Sequence, residues 1–312
     1  MIKTLVRNEL KSSRRDFLAG YLFLTPWLLG LIFFTAGPVV LSFYMSFTSW
    51  TLLSPPRWVG LENYSRLLAN DSLFYQSLYN TLYYVMFSVP LSMAIALALA
   101  LLVNQKVRGV QVFRTIFYLP SVTNMVAVSV LWLWIFNPEF GLLNSALRVF
   151  GIEGPLWLQS ESWSKPSLIL MSLWSVGGGM IIYLAGLQGI PQPLYEAAEL
   201  DGAGPWQKFR SITLPMLTPA VFFNLVMNLI GSFQVFTQAY VMTGSKVPGS
   251  EGSPANSTLF YVLYLYKKAF QQFKMGDAAA MAWILFIVIF TLTLIQFKLS
   301  RRWVYYEAGE AR

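Results

Sequence analysis

An all-α membrane protein built on six transmembrane helices is the fold class this sequence predicts. Three observations carry the prediction. Hydrophobic residues make up 56% of the 312 and charged residues only 12%, against about 25% charged in typical soluble domains. Six windows contain no charge at all, 17–56, 72–105, 115–138, 166–195, 211–245 and 278–297, and each reaches the roughly 20 residues that cross a hydrocarbon core. Backbone groups in lipid must bond within their own segment or a closed barrel. The period-two alternation of a barrel strand is absent, so helices remain.

Trimmed at turn signals, the helices are expected at 18–46, 77–103, 115–136, 167–189, 219–242 and 278–298. The first apolar run, from Phe17, is too long for the core of a signal peptide and lacks a small-x-small cleavage site, so it reads as a retained span. Pro26, Pro38, Pro90 and Pro120 lie in or near spans. Each removes a ladder hydrogen bond and can kink its helix. The connections 47–76, 137–165 and 243–277 are long for a bundle. The last contains STLFYVLYLYKKAF, 257–270, expected to form a short amphipathic helix along the membrane surface. No strong internal repeat interrupts this plan. The chain thus divides into a tail at 1–17, a helical domain at 18–298 that includes a loop at 190–218, and a second tail at 299–312.

Six spans put both tails on one side. Lys3, Arg7, Lys11, Arg14, Arg15, Lys106, Arg108, Arg114, Lys208, Arg210, Lys298, Arg301, Arg302 and Arg312 fall on that side. They outnumber Arg57, Arg66, Arg148, Lys165, Lys246, Lys267, Lys268 and Lys274 on the other. The excess places both termini and the 190–218 loop in the cytoplasm. The net charge of +8 is accounted for by this orientation and calls for a lipid membrane, with no nucleic acid as partner.

Composition also excludes chemistry. The chain has no cysteine and no histidine, so thiolate or imidazole metal sites and Ser-His or Cys-His nucleophiles are out. Glu139, Glu153 and Glu161 are scattered with no companion motif, which leaves a membrane enzyme without support. No Gly-x4-Gly-Lys-Ser/Thr loop is present, so no ATP site is expected in this chain. An ion-coupled secondary carrier for a neutral polar solute is the alternative function. It would ordinarily need a charge inside a span, and the six windows hold none.

The most informative stretch is EAAELDGAGPWQKFRSITLPMLTP, 196–219. Helix-favouring residues run from Leu194 to Asp201 behind Pro191 and Pro193, which are tolerated at a helix start. Gly202 permits a sharp or left-handed turn. A second helical stretch runs from Pro205 to about Thr213 and ends at Pro215 and Pro219. The expected product is a helix-turn-helix lying parallel to the membrane. Ala197, Ala198 and Leu200 let another surface approach closely, and Glu196 and Asp201 can accept charge-assisted bonds from a basic partner.

This ordered set, Glu196-Ala197-Ala198, three residues, Gly202, nine residues, then Ile212-x-Leu214-Pro215, resembles the EAA loop of binding-protein-dependent ABC importer permeases. The surrounding YLAGLQGIPQPLYEAAELDGAGPWQKFRSITLPML resembles the carbohydrate-uptake branch, whose best-known members are the maltose permeases. NTLYYVMFSVPLSMAIALALA (80–100), FRTIFYLPSVTNMVAVSVLWLWIFNPEFGLLN (113–144) and KMGDAAAMAWILFIVIF (274–290) resemble it too. The start, 16–47, is similar to the first of the two permease subunits, the MalF-like or UgpA-like one. One departure is GSKVPGSEGSPANST, 244–258, where that family often has a Gly-Gly-Pro turn.

The resemblance implies a type I ABC importer permease fold in a prokaryotic cytoplasmic (inner) membrane. It implies a second homologous permease that shares the translocation pathway and an ABC ATPase dimer that binds ATP and Mg, leaving no cofactor in this chain. An extracytoplasmic sugar-binding protein completes the set. It assigns ATPase coupling to Glu196, Ala197, Ala198, Asp201, Gly202, Ile212, Leu214 and Pro215.

Polar residues within spans suggest where a sugar passes. Asn224, Asn228, Gly231 and Gln238 are spaced to share one face of the fifth span, with Ser232 and Gln234 close to that stripe. Amides in a span need partners or water, so the face looks inward, and Asn and Gln supply the mixed donors and acceptors that sugar hydroxyls require. The fourth span adds Ser172, Trp174, Ser175 and Gly178, with Trp174 able to stack on a sugar ring. Positions in these parts of the fourth and fifth spans line the sugar site of maltose-type permeases. The competing reading is helix–helix packing by small and amide residues, and for Gly177, Gly178 and Gly179 close packing or a hinge is favoured. The absence of intramembrane charge fits a neutral sugar or polyol.

Overall fold

The computed structural model describes residues 17, 19–51, 54–105, 108–243 and 251–305. Most of the 1–17 tail, including its five basic residues, lies outside the described residues. So do Lys106, Lys246, the 244–250 part of the polar connection and the end of the second tail.

The chain opens with α1 (Ala19–Ser46). Pro38 has no N–H to give, and the ladder adapts through a π turn at Ile32–Ala36 in which the Gly37 N–H reaches Ile32 O. A two-stranded ribbon, β1 (Thr48–Ser49) paired antiparallel with β2 (Arg57–Trp58), leads to α2 (Glu62–Asn70). The buried Asn63 amide donates to Ser46 O at 2.8 Å and Thr48 O at 2.9 Å, which ties α2 to the end of α1.

The second span is α3 (Ser72–Val103), one helix despite Pro90. It starts earlier than the expected 77, because the Asp71 carboxylate accepts from the Phe74 N–H and caps it. The third span, expected as one helix over 115–136, is broken instead. α4 (Val110–Val122) and α5 (Met125–Ile135) meet at 100°. Pro120 lacks a donor near the break, and Asn124 restarts the ladder by accepting from the Val126 N–H at 2.9 Å.

A short helix, α6 (Leu142–Val149), follows. The fourth span bends by 46° between α7 (Glu161–Ser175) and α8 (Gly177–Gln188). The 190–218 loop contains α9 (Gln192–Leu200) and α10 (Pro205–Met216), and α10 continues across a 62° bend into α11 (Thr218–Phe233). The fifth span, expected unbroken to 242, stops at Phe233 and resumes as α12 (Thr237–Thr243). α13 (Tyr261–Tyr266) continues as a π turn over Lys267–Gln271, and α14 (Met275–Ser300) closes the bundle. Among the described residues, three helices are long and apolar enough to cross a membrane by themselves, and up to six spans result when each bent pair counts as one.

α13 corrects an expectation. It is not a helix lying on the membrane surface. Phe260, Tyr261, Leu263 and Tyr264 are buried, the Tyr261 hydroxyl donates to Met281 O and its N–H to Thr81 Oγ1. Its apolar side meets the bundle interior between α3 and α14 rather than lipid. Lys268, counted above as a charge on the far side, is also buried. It pairs with Asp71 at 2.8 Å and with Asp277 at 3.9 Å, while Asp277 also binds Arg66. Lys267 lies 3.8 Å from Glu251. These lysines answer to carboxylates inside the protein, which removes much of their weight in an orientation argument.

Two cores hold the bundle. At the α13 end, Phe74, Tyr84 and Val85 pack with Trp132, Leu168, Tyr261 and Met281. At the loop end, Ala96, Ala100 and Val103 pack with Met180, Tyr183, Leu184, Leu187 and Leu217. The middle of α3, α7, α8 and α11 lies between them.

Candidate functional site

The loop folds as the helix-turn-helix its sequence suggests, except that the second helix runs through the expected stop at Pro215 to Met216. Pro191 caps α9, with Pro193 in the first turn. The helix ends in a Schellman turn: the Ala203 N–H donates to Ala198 O at 2.8 Å and the Gly202 N–H to Glu199 O at 3.0 Å. Gly202 has φ +75°, and a Cβ there would meet no atom within 4 Å. Glycine is therefore required by the backbone and not by crowding. α10 starts with the Gly204 N–H donating to Gln207 Oε1 at 2.8 Å. Pro215 cannot donate, and a π turn at Phe209–Thr213 absorbs the gap, with the Leu214 N–H reaching Phe209 O.

The two helices are tied together by Lys208 and Glu199 at 2.8 Å and by the Tyr195 and Thr213 hydroxyls at 2.9 Å. The ion pair is exposed on the glutamate side and contributes at most about 1 kcal/mol. Glu196, Ala197, Asp201 and Gly202 face solvent, and Ala198 is half-buried. Leu200 is 90% exposed and Trp206 69% exposed, an unusual display of apolar surface on a polar loop. Leu214 is exposed and Pro215 half-buried. Ile212 points the other way and packs with Tyr195 and Met216 against the loop-end core. The loop residues thus separate into a displayed edge and an anchor. Trp206 was not singled out from the sequence, although a tryptophan in an otherwise polar loop is itself a signal.

Between the two cores lies a cavity of about 330 Å³. Of the residues singled out for a pathway, Ser172, Ser175, Asn224, Asn228, Ser232 and Gln238 line it, as do Gly179 and Gly231. Gln238 reaches it from α12, beyond the break in the fifth span, so it shares the cavity with Asn224 and Asn228 without sharing their helix. Trp174, Gly178 and Gln234 are not among its lining residues. Gln234 is exposed at the helix break. Trp174 lies edge-on to Trp132 at 6.1 Å and borders a separate apolar crevice of about 610 Å³ in the α4–α5 bend.

The sequence reading passed over Tyr84, Ser88 and Ser92 of α3, which line the same cavity. Their four-residue spacing was a usable signal. It was masked because serine in a span is as ordinary in packing as in binding.

Among the described residues the cavity wall is uncharged: no Asp, Glu, Lys or Arg lines it. The Asn224 and Asn228 amide nitrogens donate to Ala220 O and Asn224 O of their own helix, which leaves their side-chain oxygens as acceptors. Tyr84 brings a hydroxyl to the same wall as Ser172 and Gln238. Ser88 Oγ is buried and has no partner among the described residues. Met125, Met171 and Met227 complete the wall with polarisable apolar surface. Such a set suits a neutral, many-hydroxylated solute held by several weak bonds.

Comparison with known proteins adds to this geometry. Residues 74–305 match the family model described as binding-protein-dependent transport system inner membrane component. The chain is 43% identical over 302 residues to the probable ABC transporter permease protein YesP of Bacillus subtilis (strain 168), covering 96% of each. It is 35% identical over 285 residues to the arabinooligosaccharides transport system permease protein AraP of the same organism, covering 90% of this chain and 88% of that one. A chain in the crystal structure of a bacterial alginate ABC transporter, in complex with an alginate pentasaccharide-bound periplasmic protein, superposes with a TM-score of 0.79. It is 25% identical, over 94% of this chain and 96% of the other.

Proposed function

This chain belongs to the family of binding-protein-dependent transport system inner membrane components, and we propose that it forms half of the membrane pathway of an ATP-driven sugar importer. One observation carries the reading. The exposed helix-turn-helix of α9 and α10 leads, across a single 62° bend, directly into α11, the helix that presents Asn224 and Asn228 to the cavity. A force applied at the displayed edge of the loop is therefore delivered to the cavity wall through a single connected element.

In this reading Glu196, Ala197, Ala198, Asp201, Leu200 and Trp206 form the face that docks on an ATPase subunit in the cytoplasm. Ile212 and Tyr195 transmit its movement to the bundle. Gly202 sets the angle between the two helices, and Leu214 and Pro215 form the bend into the membrane. The ATPase pair binds ATP and Mg and supplies hydrolysis. A second permease closes the open side of the cavity, and both tails lie in the cytoplasm. The alginate transporter crystallised with a periplasmic sugar-bound protein, which supports an extracytoplasmic binding protein here. The relative that carries arabinooligosaccharides and the uncharged cavity both favour saccharides as substrate.

The test is purification in mild detergent, with every co-purifying protein weighed and ATPase activity assayed. A homologous permease plus two ATPase copies is the expected result. A solitary chain without ATPase, after cytoplasmic protease has been shown to reach the 192–216 loop, would sink the reading. The same preparation serves a variant pair. Gly202→Val forces a β-branched residue into a left-handed backbone, a cost of about 1–2 kcal/mol, confined to the loop. Uptake of radiolabelled oligosaccharides should fall by roughly tenfold or more while membrane level and melting temperature hold. Gly202→Asn tolerates that backbone and should retain most uptake. Equal uptake by the valine variant and the parent would remove the loop from the coupling route.

A further inference from the structure

The bend that joins the loop to α11 is built from two prolines and a threonine. In an unbroken helix Pro215 O would accept from the N–H of residue 219, but residue 219 is proline and has none. The Thr218 hydroxyl takes that place and donates to Pro215 O at 2.6 Å. Its oxygen is used a second time, because the Tyr305 N–H donates to it at 2.9 Å from 87 positions away. The segment after α14 is thereby tied across the 62° bend. A hydroxyl that donates and accepts at once strengthens both bonds.

The segment that supplies Tyr305 is itself folded. The Arg302 N–H donates to Leu299 O at 3.0 Å, the Trp303 N–H to Ser300 O at 3.1 Å and the Val304 N–H to Ser300 O at 2.8 Å. The Trp303 ring then lies edge-on to the buried Phe222, about one turn into α11, at 6.1 Å. Phe222 also meets Phe297 of α14 at 5.1 Å. α14 is one helix of 26 residues, whereas the path from the loop to α11 is bent at this point. A joint is therefore pinned to a straight rod.

We propose that residues 300–305 are a clasp on the bend between the loop and α11, and that Thr218 is the positioning residue that receives it. With the clasp in place, a displacement of the loop carries α11 and the end of α14 together. Without it, the joint at 216–218 flexes and absorbs part of the displacement, as hinges at element ends do. The inference rests on the ATPase-driven reading above and adds a second helix to the route by which the loop moves the cavity wall.

The chain has no cysteine, so one thiol can report the wall. Asn228→Cys on α11 is labelled with a small maleimide in the complex purified with its ATPase, with and without ATP plus vanadate. The change in labelling rate measures how far the loop moves the wall. Tyr305→Pro removes the donating N–H and should shrink that change about fivefold, the loss expected for one hydrogen bond of ordinary net strength, while the ATPase subunits still release phosphate. Tyr305→Ala keeps the N–H and should respond as the parent does. A second pair decides independently. Thr218→Val removes the hydroxyl at nearly constant shape and should lose at least as much as Tyr305→Pro, and Thr218→Ser should restore the response. A parent-sized response in either Tyr305→Pro or Thr218→Val overturns the clasp and leaves the transport reading standing. Equal losses in Tyr305→Ala and Tyr305→Pro overturn it too, since the ring and not the backbone bond would then matter. No response to ATP and vanadate in the parent, with ATPase bound, overturns the coupling reading itself and the clasp with it.

Discussion

Replacing Lys268 with methionine is expected to destabilise the α13 end of the bundle by about 3–5 kcal/mol, although the two side chains occupy similar volume. The ammonium is buried between Asp71 at 2.8 Å and Asp277 at 3.9 Å. Asp71 also accepts from the Tyr264 hydroxyl at 2.7 and 2.8 Å and from the Phe74 N–H. Removing the cation leaves Asp71 and Asp277 together in a low-dielectric pocket, with Arg66 as the one remaining paired cation among the described residues. Denaturant or thermal unfolding in detergent measures the loss. Restoring neutrality with Lys268→Met plus Asp71→Asn should recover more than half of it, since much of the penalty is an unpaired charge. A single methionine variant as stable as the parent would show that the pocket is wetter than its burial indicates.

The same cluster predicts a pH response. Burial by itself would raise the Asp71 pKa, but hydrogen bonds from Lys268 and Tyr264, and the charge on Lys268, outweigh it and hold the carboxyl below its ordinary value. A depressed pKa contributes stability that is complete above the unfolded value, about 3.9, and is lost as pH falls through the folded value. Stability from this residue should therefore stay level from neutral pH to about 4 and decline only below it. That acid-side decline should be reduced in Asp71→Asn.

Gly177→Ala should cost about 3 kcal/mol, the upper end of ordinary overpacking, for a single added methyl. Its Cβ would lie 2.4 Å from Phe117 O and 2.8 Å from Tyr118 Cα. Both are backbone atoms of α4 and cannot rotate aside, so α4 and α8 must separate where the fourth span bends. Gly178→Ala is the matched control. Nothing lies within 4 Å of its added Cβ, and its effect should remain within about 0.5 kcal/mol. Melting temperatures of the two variants in one detergent decide the matter. Similar losses at both positions would point to general helix softness and not to contact with α4.

The glycine run illustrates how far the sequence could be read. Three adjacent glycines announce close packing or a bend, yet nothing local says that Gly177 touches α4, that Gly179 faces Asn224, or that a Cβ on Gly178 would meet open space. The loop was legible almost residue by residue, because its turn is made by bonds between residues three to five apart, from Ala198 and Glu199 to Gly202 and Ala203. The break at 123–124 was half legible. Pro120 warned of a kink, but its depth of 100° follows from the Asn124 cap and from what α4 and α5 pack against.

What the amino-acid sequence determined by itself was whatever depends on solvent and short range. It set the membrane as environment, through charge-free runs whose backbones must bond internally. It set the helix-turn-helix at 192–216 through proline and glycine placed at its ends, and the family through an ordered motif of those same residues. Tertiary structure alone decided which partners meet. It drew α13 into the core and joined Lys268 and Tyr264 to Asp71, the latter pair 193 positions apart. It also gathered Tyr84 of α3, Ser172 of α7, Asn224 of α11 and Gln238 of α12 around one cavity. The physical reason is that a helix period reports which residues share a face but not what that face meets. In a bundle bent at several spans, small changes of angle decide whether a polar stripe looks at lipid, at a neighbouring helix or into a water-sized space.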